Sequence, residues 1–160
     1  MAREDTFEGA KNAFAFGYGY MSAVGEEIGW GQAIALDTKS SEMMGAAQGA
    51  AMKDEHGLGD ADLITASLAA RSISEGLGAE SEVVEADGQR VVIKLGRCPL
   101  YEAAEMLGMD NATIEAICRA GGIRFMDAMV KQWDPNFSYQ LKEFRSSADG
   151  YCVEQLALSG

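Results

Sequence analysis

Basic residues are scarce in this sequence. Thirteen Lys and Arg stand against 25 Asp and Glu, a formal net charge of −12 over 160 residues. A surface of that sign repels nucleic acid and anionic lipid, so neither is expected as a partner. Also missing is any run of about 18 apolar residues, the length that a membrane-crossing helix needs. The opening Met-Ala-Arg-Glu-Asp does not join a basic region to an apolar stretch, and the expectation is a soluble, cytoplasmic chain with no membrane partner. Cysteine occurs only at 98, 118 and 152. An odd number at those separations suits free thiols or ligands in a reducing compartment better than a disulfide framework. His56 is the one histidine, with no serine or cysteine beside it in a known catalytic pattern. There is no phosphate-binding glycine loop, HExxH, CxxC or GxSxG, which removes the standard nucleotide-binding and hydrolase signatures.

What is present suits a single globular domain over 1–160, since 48% of residues are hydrophobic and 24% charged. Residues 1–78 read as a helical part, and 79–160 as a sheet-and-helix part that carries the cysteines. Although "AFAFGYGYM" alternates like a strand, Phe7, Ala10, Phe14, Gly17, Met21, Val24 and Ile28 recur at spacings of three and four, the period of a helix. Phe14, Phe16, Tyr18 and Tyr20 on it read as a ligand-lining wall or, preferred here, as core and helix–helix or dimer contact. The glycines and aromatics of this helix point to a homodimer or higher oligomer. A second helix is expected over 41–53, where the small residues of "MMGAAQGAAM" allow another helix to approach closely. A third, capped by Asp60, presents Leu63, Ile64, Leu68, Ile73 and Leu77.

The period then changes. "SEVVEADGQRVVIKL" is two β-rich runs, 82–86 and 91–95, around Asp87-Gly88, a strong hairpin signal. Pro99 is suited to the first position of a helix over 99–108, with Cys98 as its N-cap. A single long helix is expected from Asp110 or Asn111 to Trp133, stopped by "DPN". Strands at 137–145 and 151–157 complete the chain. With no regular βαβ alternation and no internal repeat, the fold class is α+β, with N-terminal helices followed by one antiparallel sheet and helices packed on one face.

Cys98 has the strongest local case for chemistry. A thiol at a helix N-terminus meets the positive end of the macrodipole, which favours thiolate and lowers its pKa. It reads as nucleophile, as metal ligand, or as a small buried residue. Glu102, four residues on, is within reach as a general base. Cys118 lies on an apolar helix face, and Cys152 alternates with Glu154 and Leu156 in its strand. The three cysteines together could hold zinc or another divalent metal, with His56, an acidic side chain or water as fourth ligand. Arg124 and Asp127 read as residues of a solvated helix face.

The ordered set "RCPLYEAAEMLG", "AICRAGG", "WDPNFSY" and "SADGYCVEQL" resembles the family of L-2-amino-thiazoline-4-carboxylic acid hydrolases. "GEEIGWGQAIA", "GLGDADL" and "GLGAESEVVEADGQRVVIKLGRCP" extend that resemblance over most of the chain. More distantly, the Cys-Pro after a hairpin and the terminal Gly-x-Cys strand resemble 4-vinyl reductase domains, whose fold is shared with haem-based nitric oxide sensors and some vesicle-tethering subunits. Where those domains carry a further cysteine ahead of Gly-x-Cys, this chain has Ser146 and Ser147. The resemblance picks out Cys98, Pro99, Glu102, Cys118, Asn136, Gly150 and Cys152. It implies hydrolytic opening of a cyclic amidine or amide-like ring such as 2-amino-thiazoline-4-carboxylate, releasing the ring sulfur. Cys98 or a metal-bound water would be the nucleophile and Glu102 the proton donor, with Cys118 beside them. Arg97, Arg119 or Arg124 would hold the substrate carboxylate, and Asn136 joins the substrate-binding set. The alternative is a non-catalytic sensor or carrier that binds a small molecule or a metal.

Overall fold

Gly29, with a backbone φ of +92°, divides the N-terminal helical region in two. In the computed structural model, which describes residues 2–159, helix α1 spans Ala2–Ile28 and α2 spans Trp30–His56. Helix α2 therefore begins well before the expected residue 41. Its buried positions are Ala33, Gly45, Gly49 and Met52, so contact by small side chains, rather than an apolar stripe, holds it in place. A 3-10 turn, Leu58–Asp60, leads into α3, Leu63–Gly76. The cap of α3 is Asp62 and not Asp60: Thr65 N donates to Asp62 Oδ1 at 2.7 Å, while Asp60 closes the turn before it.

Strands β1 (Ser81–Ala86) and β2 (Arg90–Leu95) form the expected hairpin. Asp87 Oδ1 accepts from Gln89 N at 2.7 Å and Arg90 N at 2.9 Å. That side-chain turn lets Gly88 keep an ordinary φ, so the link is not the two-residue Asp-Gly turn that the dipeptide suggests. Helix α4, Pro99–Met106, starts at the proline with Cys98 as N-cap. The expected long helix is two, α5 (Asn111–Ala120) and α6 (Gly122–Val130), because Gly121 leaves helical geometry at φ −108°, ψ −83°. Asp110 caps α5 through Thr113 N at 2.8 Å. Strands β3 (Phe137–Glu143) and β4 (Cys152–Leu158) follow. The class is α+β, with six α-helices and one four-stranded antiparallel sheet, order β1-β2-β4-β3, among the described residues.

Register decides what the sheet presents. Val91 pairs with Leu156, Ile93 with Glu154 and Leu95 with Cys152, while Tyr139 and Leu141 stand opposite Leu156 and Glu154 from the other side. All share one face, and α3 and α6 pack on it through Ala66, Ala70, Met126, Met129 and Val130. Helix α2 packs against α6 almost backbone to backbone: a Cβ on Gly45 would fall 2.1 Å from Phe125 O, and one on Gly49 2.3 Å from Met129 O. Trp133, 2% exposed, donates Nε1–H to Gly49 O at 3.0 Å and locks the same contact. Helix α1 lies along α4, where Glu4 binds Arg97 and the Arg97 guanidinium sits 3.8 Å from the Phe7 ring centre. Among the described residues no helix is long and apolar enough to cross a membrane.

Candidate functional site

The helical layer does not fill the sheet face completely. Where the Leu95–Cys152 and Glu154–Leu141 pairs reach the end of the sheet, a cavity of about 500 Å³ is left beneath α1, α4, α5 and α6. That volume lies within the roughly 300–1,000 Å³ of small-molecule sites. Phe14, Tyr18 and Met21 come from α1, Leu100 and Tyr101 from α4, Ile117 from α5, and Phe125 and Met126 from α6. The aromatics of α1 divide by helical period: Phe14 and Tyr18, ring centres 6.2 Å apart, line the cavity. Phe16 and Tyr20 stand in solvent, 83% and 70% exposed. Phe14 and Tyr18 thus stand at the cavity wall, and Tyr18 also packs against two core clusters, as the preferred core reading has it.

Cys98, Cys118 and Cys152 all line this cavity. Burial pushes the Cys98 thiol above its ordinary pKa, outweighing the Tyr101 N–H, the Arg145 charge and the Leu100 N–H, which pull it down. The helix end does lower the Cys98 pKa, but desolvation of the anion is the larger influence. Burial pushes Cys118 up as well, helped by Cys98 and Cys152. Sharing a cavity does not make the sulfurs a metal cage. Among the described residues no group of three or more His, Cys, Asp or Glu side chains stands close enough to hold a metal ion.

Buried Arg145 and the half-buried Glu154 and Asp37, ionisable residues at this wall, were not among the expected site residues. Arg145, 2% exposed, follows β3. Its Nε donates to Cys152 Sγ at 3.3 Å, Nη2 to Gly96 O at 2.6 Å and Leu95 O at 3.3 Å, and Nη1 to Gly150 O at 3.4 Å. Asn111 fixes its backbone, accepting from Tyr101 Oη at 2.7 Å and donating Nδ2–H to Arg145 O at 3.1 Å. Glu154 projects from the apolar face of β4 and accepts a 2.5 Å hydrogen bond from Tyr139 Oη. Burial raises its carboxyl pKa despite the opposing pulls of Tyr139 and Arg145. The signal for Glu154 was in the strand period, which puts a carboxylate on the face of Cys152 and Leu156. Arg145, in a loop, carried no such signal.

The remaining candidates lie elsewhere. Glu102 accepts from Arg97 Nε at 2.8 Å on an open, polar surface groove of about 590 Å³ that also includes Glu80, Lys94 and Asp149. That groove excludes Cys98, so Glu102 and the thiol do not share a pocket: the α4 turn carries them to different sides. Arg97 is held by Glu4 and Glu102. Arg119 pairs with Glu115 and donates to Leu141 O, and Arg124 pairs with Glu42 on the surface. Asn136 belongs to the turn before β3, its N–H on Asp134 and its carbonyl accepting from Ser159. His56 ends α2 with its side chain in solvent. None of these residues lines the cavity.

Neither the family models nor the curated proteins include a match to this chain.

Proposed function

We propose that this chain is a binding module that takes up a small, mainly apolar molecule in the cavity beneath α1, α4 and α5. The supporting observation is the cavity itself, about 500 Å³ with chiefly apolar walls and a few polar groups, Arg145, Glu154, Asp37 and the three sulfurs among them. The hydrolytic reading, opening of a 2-amino-thiazoline-4-carboxylate-like ring, calls for an activated nucleophile and an acid in one wet pocket. Here burial favours the neutral Cys98 thiol, and Glu102 is engaged by Arg97 on the outer groove. Free thiols in such a cavity suit a reducing, cytoplasmic setting. Self-association belongs to the same reading, through the solvent-facing Phe16 and Tyr20 of α1 and Leu36, Met43 and Met44 of α2.

The test is titration with the neutral dye N-phenyl-1-naphthylamine, followed by its fluorescence and by the rate of Cys98 and Cys118 alkylation. Enhanced emission with slowed alkylation is expected, and no emission with unprotected thiols refutes the reading. Turnover of 2-amino-thiazoline-4-carboxylate by the purified protein would establish the hydrolytic alternative instead. Light scattering that returns the 17.0 kDa mass of one chain at micromolar concentration would remove self-association.

A further inference from the structure

We propose that the cavity's ligand is a monoanion with an apolar body, its negative head held where Arg145 and the start of α4 meet. The inference rests on the binding reading above and names the class of molecule.

A buried charge in a folded protein is ordinarily paired, because desolvating it alone is costly. Arg145 departs from that rule. Among the described residues none of the ion pairs includes it, and its side chain donates to carbonyl oxygens and the Cys152 sulfur. Those bonds orient the guanidinium without supplying a carboxylate against its charge. The cavity's two carboxylates, Glu154 and Asp37, form no ion pair with Arg145, and Glu154 hydrogen-bonds to Tyr139 instead.

A second, independent feature has the same sign. Helix α4 begins at Cys98, whose side chain makes no capping hydrogen bond, and Pro99 has no N–H. The N–H groups of Leu100 and Tyr101 at the next two positions face the Cys98 sulfur, whose pKa they lower, and mark the positive end of the helix at the cavity wall. Cys98, Leu100, Tyr101 and Arg145 all line the cavity, and the Arg145 guanidinium lies 5.4 Å from the Tyr101 ring centre, on the α4 side. The rest of the wall is mainly apolar, Phe14, Met21, Ile117 and Met126 among it, with Asp37 and Ser41 of α2 as polar members on the far side. One anionic head on an apolar body satisfies both halves. A polyanion would leave charge against the apolar wall, and a cation would meet Arg145.

Calorimetric titration of the wild-type chain at neutral pH with 4-phenylbutanoate, 4-phenylbutan-1-ol and 4-phenylbutylamine tests this, because the three share a body and differ in the head. The carboxylate is expected to bind about tenfold or more tighter than the alcohol, with the amine weakest, since charge-assisted hydrogen bonds exceed neutral ones. Bound carboxylate should slow Cys98 alkylation. Arg145→Gln should bring carboxylate and alcohol to equal affinity while the alcohol still binds. Equal binding of acid and alcohol by the wild type overturns the anion assignment and leaves the cavity reading standing. A tighter carboxylate that does not protect Cys98 overturns it too, because the head then lies elsewhere. Failure of all three ligands to bind removes the cavity reading with it. Should Arg145→Gln fail to fold, the wild-type ranking and the Cys98 protection decide the matter.

Discussion

Replacing Gly45 by alanine adds one methyl group, and it should destabilise the protein even though alanine is the better helix former. The added Cβ would fall 2.1 Å from Phe125 O and 2.9 Å from both Phe125 C and Phe125 Cα. That is more than an ångström short of ordinary contact with atoms that belong to a helix backbone and cannot rotate away. Either α6 retreats from α2 or both helices bend, and any retreat loosens Met126, Met129 and Val130, which α6 seats on the sheet. Overpacking of this kind costs about 3 kcal/mol at the upper end of its usual range, and helix propensity returns about 1 kcal/mol. The net loss is about 2 kcal/mol. Gly19→Ala supplies the control, because the same change in α1 meets nothing within 4 Å and should gain up to about 1 kcal/mol. Urea unfolding followed by far-UV circular dichroism should therefore separate the two variants by about 3 kcal/mol, with similar m-values. A Gly45→Ala protein as stable as Gly19→Ala would refute the backbone-to-backbone packing of α2 on α6.

Glu154→Gln should change how stability depends on pH. The folded chain raises the Glu154 pKa above its ordinary 4.5, so its favourable contribution is fully present below about that value and is lost as pH rises through the folded pKa; across that window the variant should gain on the wild type by up to about 1.4 kcal/mol per pH unit in thermal or urea unfolding. A difference independent of pH would contradict the burial of this carboxyl. Trp133→Phe removes the indole N–H that serves Gly49 O and should cost about 1–3 kcal/mol in the same urea assay, since a buried carbonyl loses its donor; an unchanged midpoint would count against it. Cys98 and Cys118 should react with iodoacetamide far more slowly in the native chain than in urea, because burial holds both thiols neutral, and native rates equal to those of the unfolded chain would show them to be exposed.

Much of the fold was legible because its causes are local. The Pro99 helix start, the Asp110 cap, the hairpin around Asp87 and the period-two strands each follow from a few adjacent residues whose backbone preferences act over one turn. Local signals failed where long-range contact set the outcome. The first part of α2 seats Ala33 and Ile34 beside Met21 of α1 and Ile117 of α5, contacts that adjacent residues do not announce, while Gly121 interrupts a pattern that looked continuous. The candidate site shows the same division. The amino-acid order placed Cys98 at a positive helix end, and the N–H groups of Tyr101 and Leu100 do pull its pKa down. Whether that pull prevails depends on how much water reaches the sulfur, and of the helices that close the cavity around it, α1 comes from the far end of the chain. Arg145 carries the lesson furthest. Nothing in "EFRSSADG" marks it apart from a surface arginine, and only folding, which brings the Leu95 and Gly96 carbonyls and the Cys152 sulfur around it, makes it a buried cation at a cavity wall.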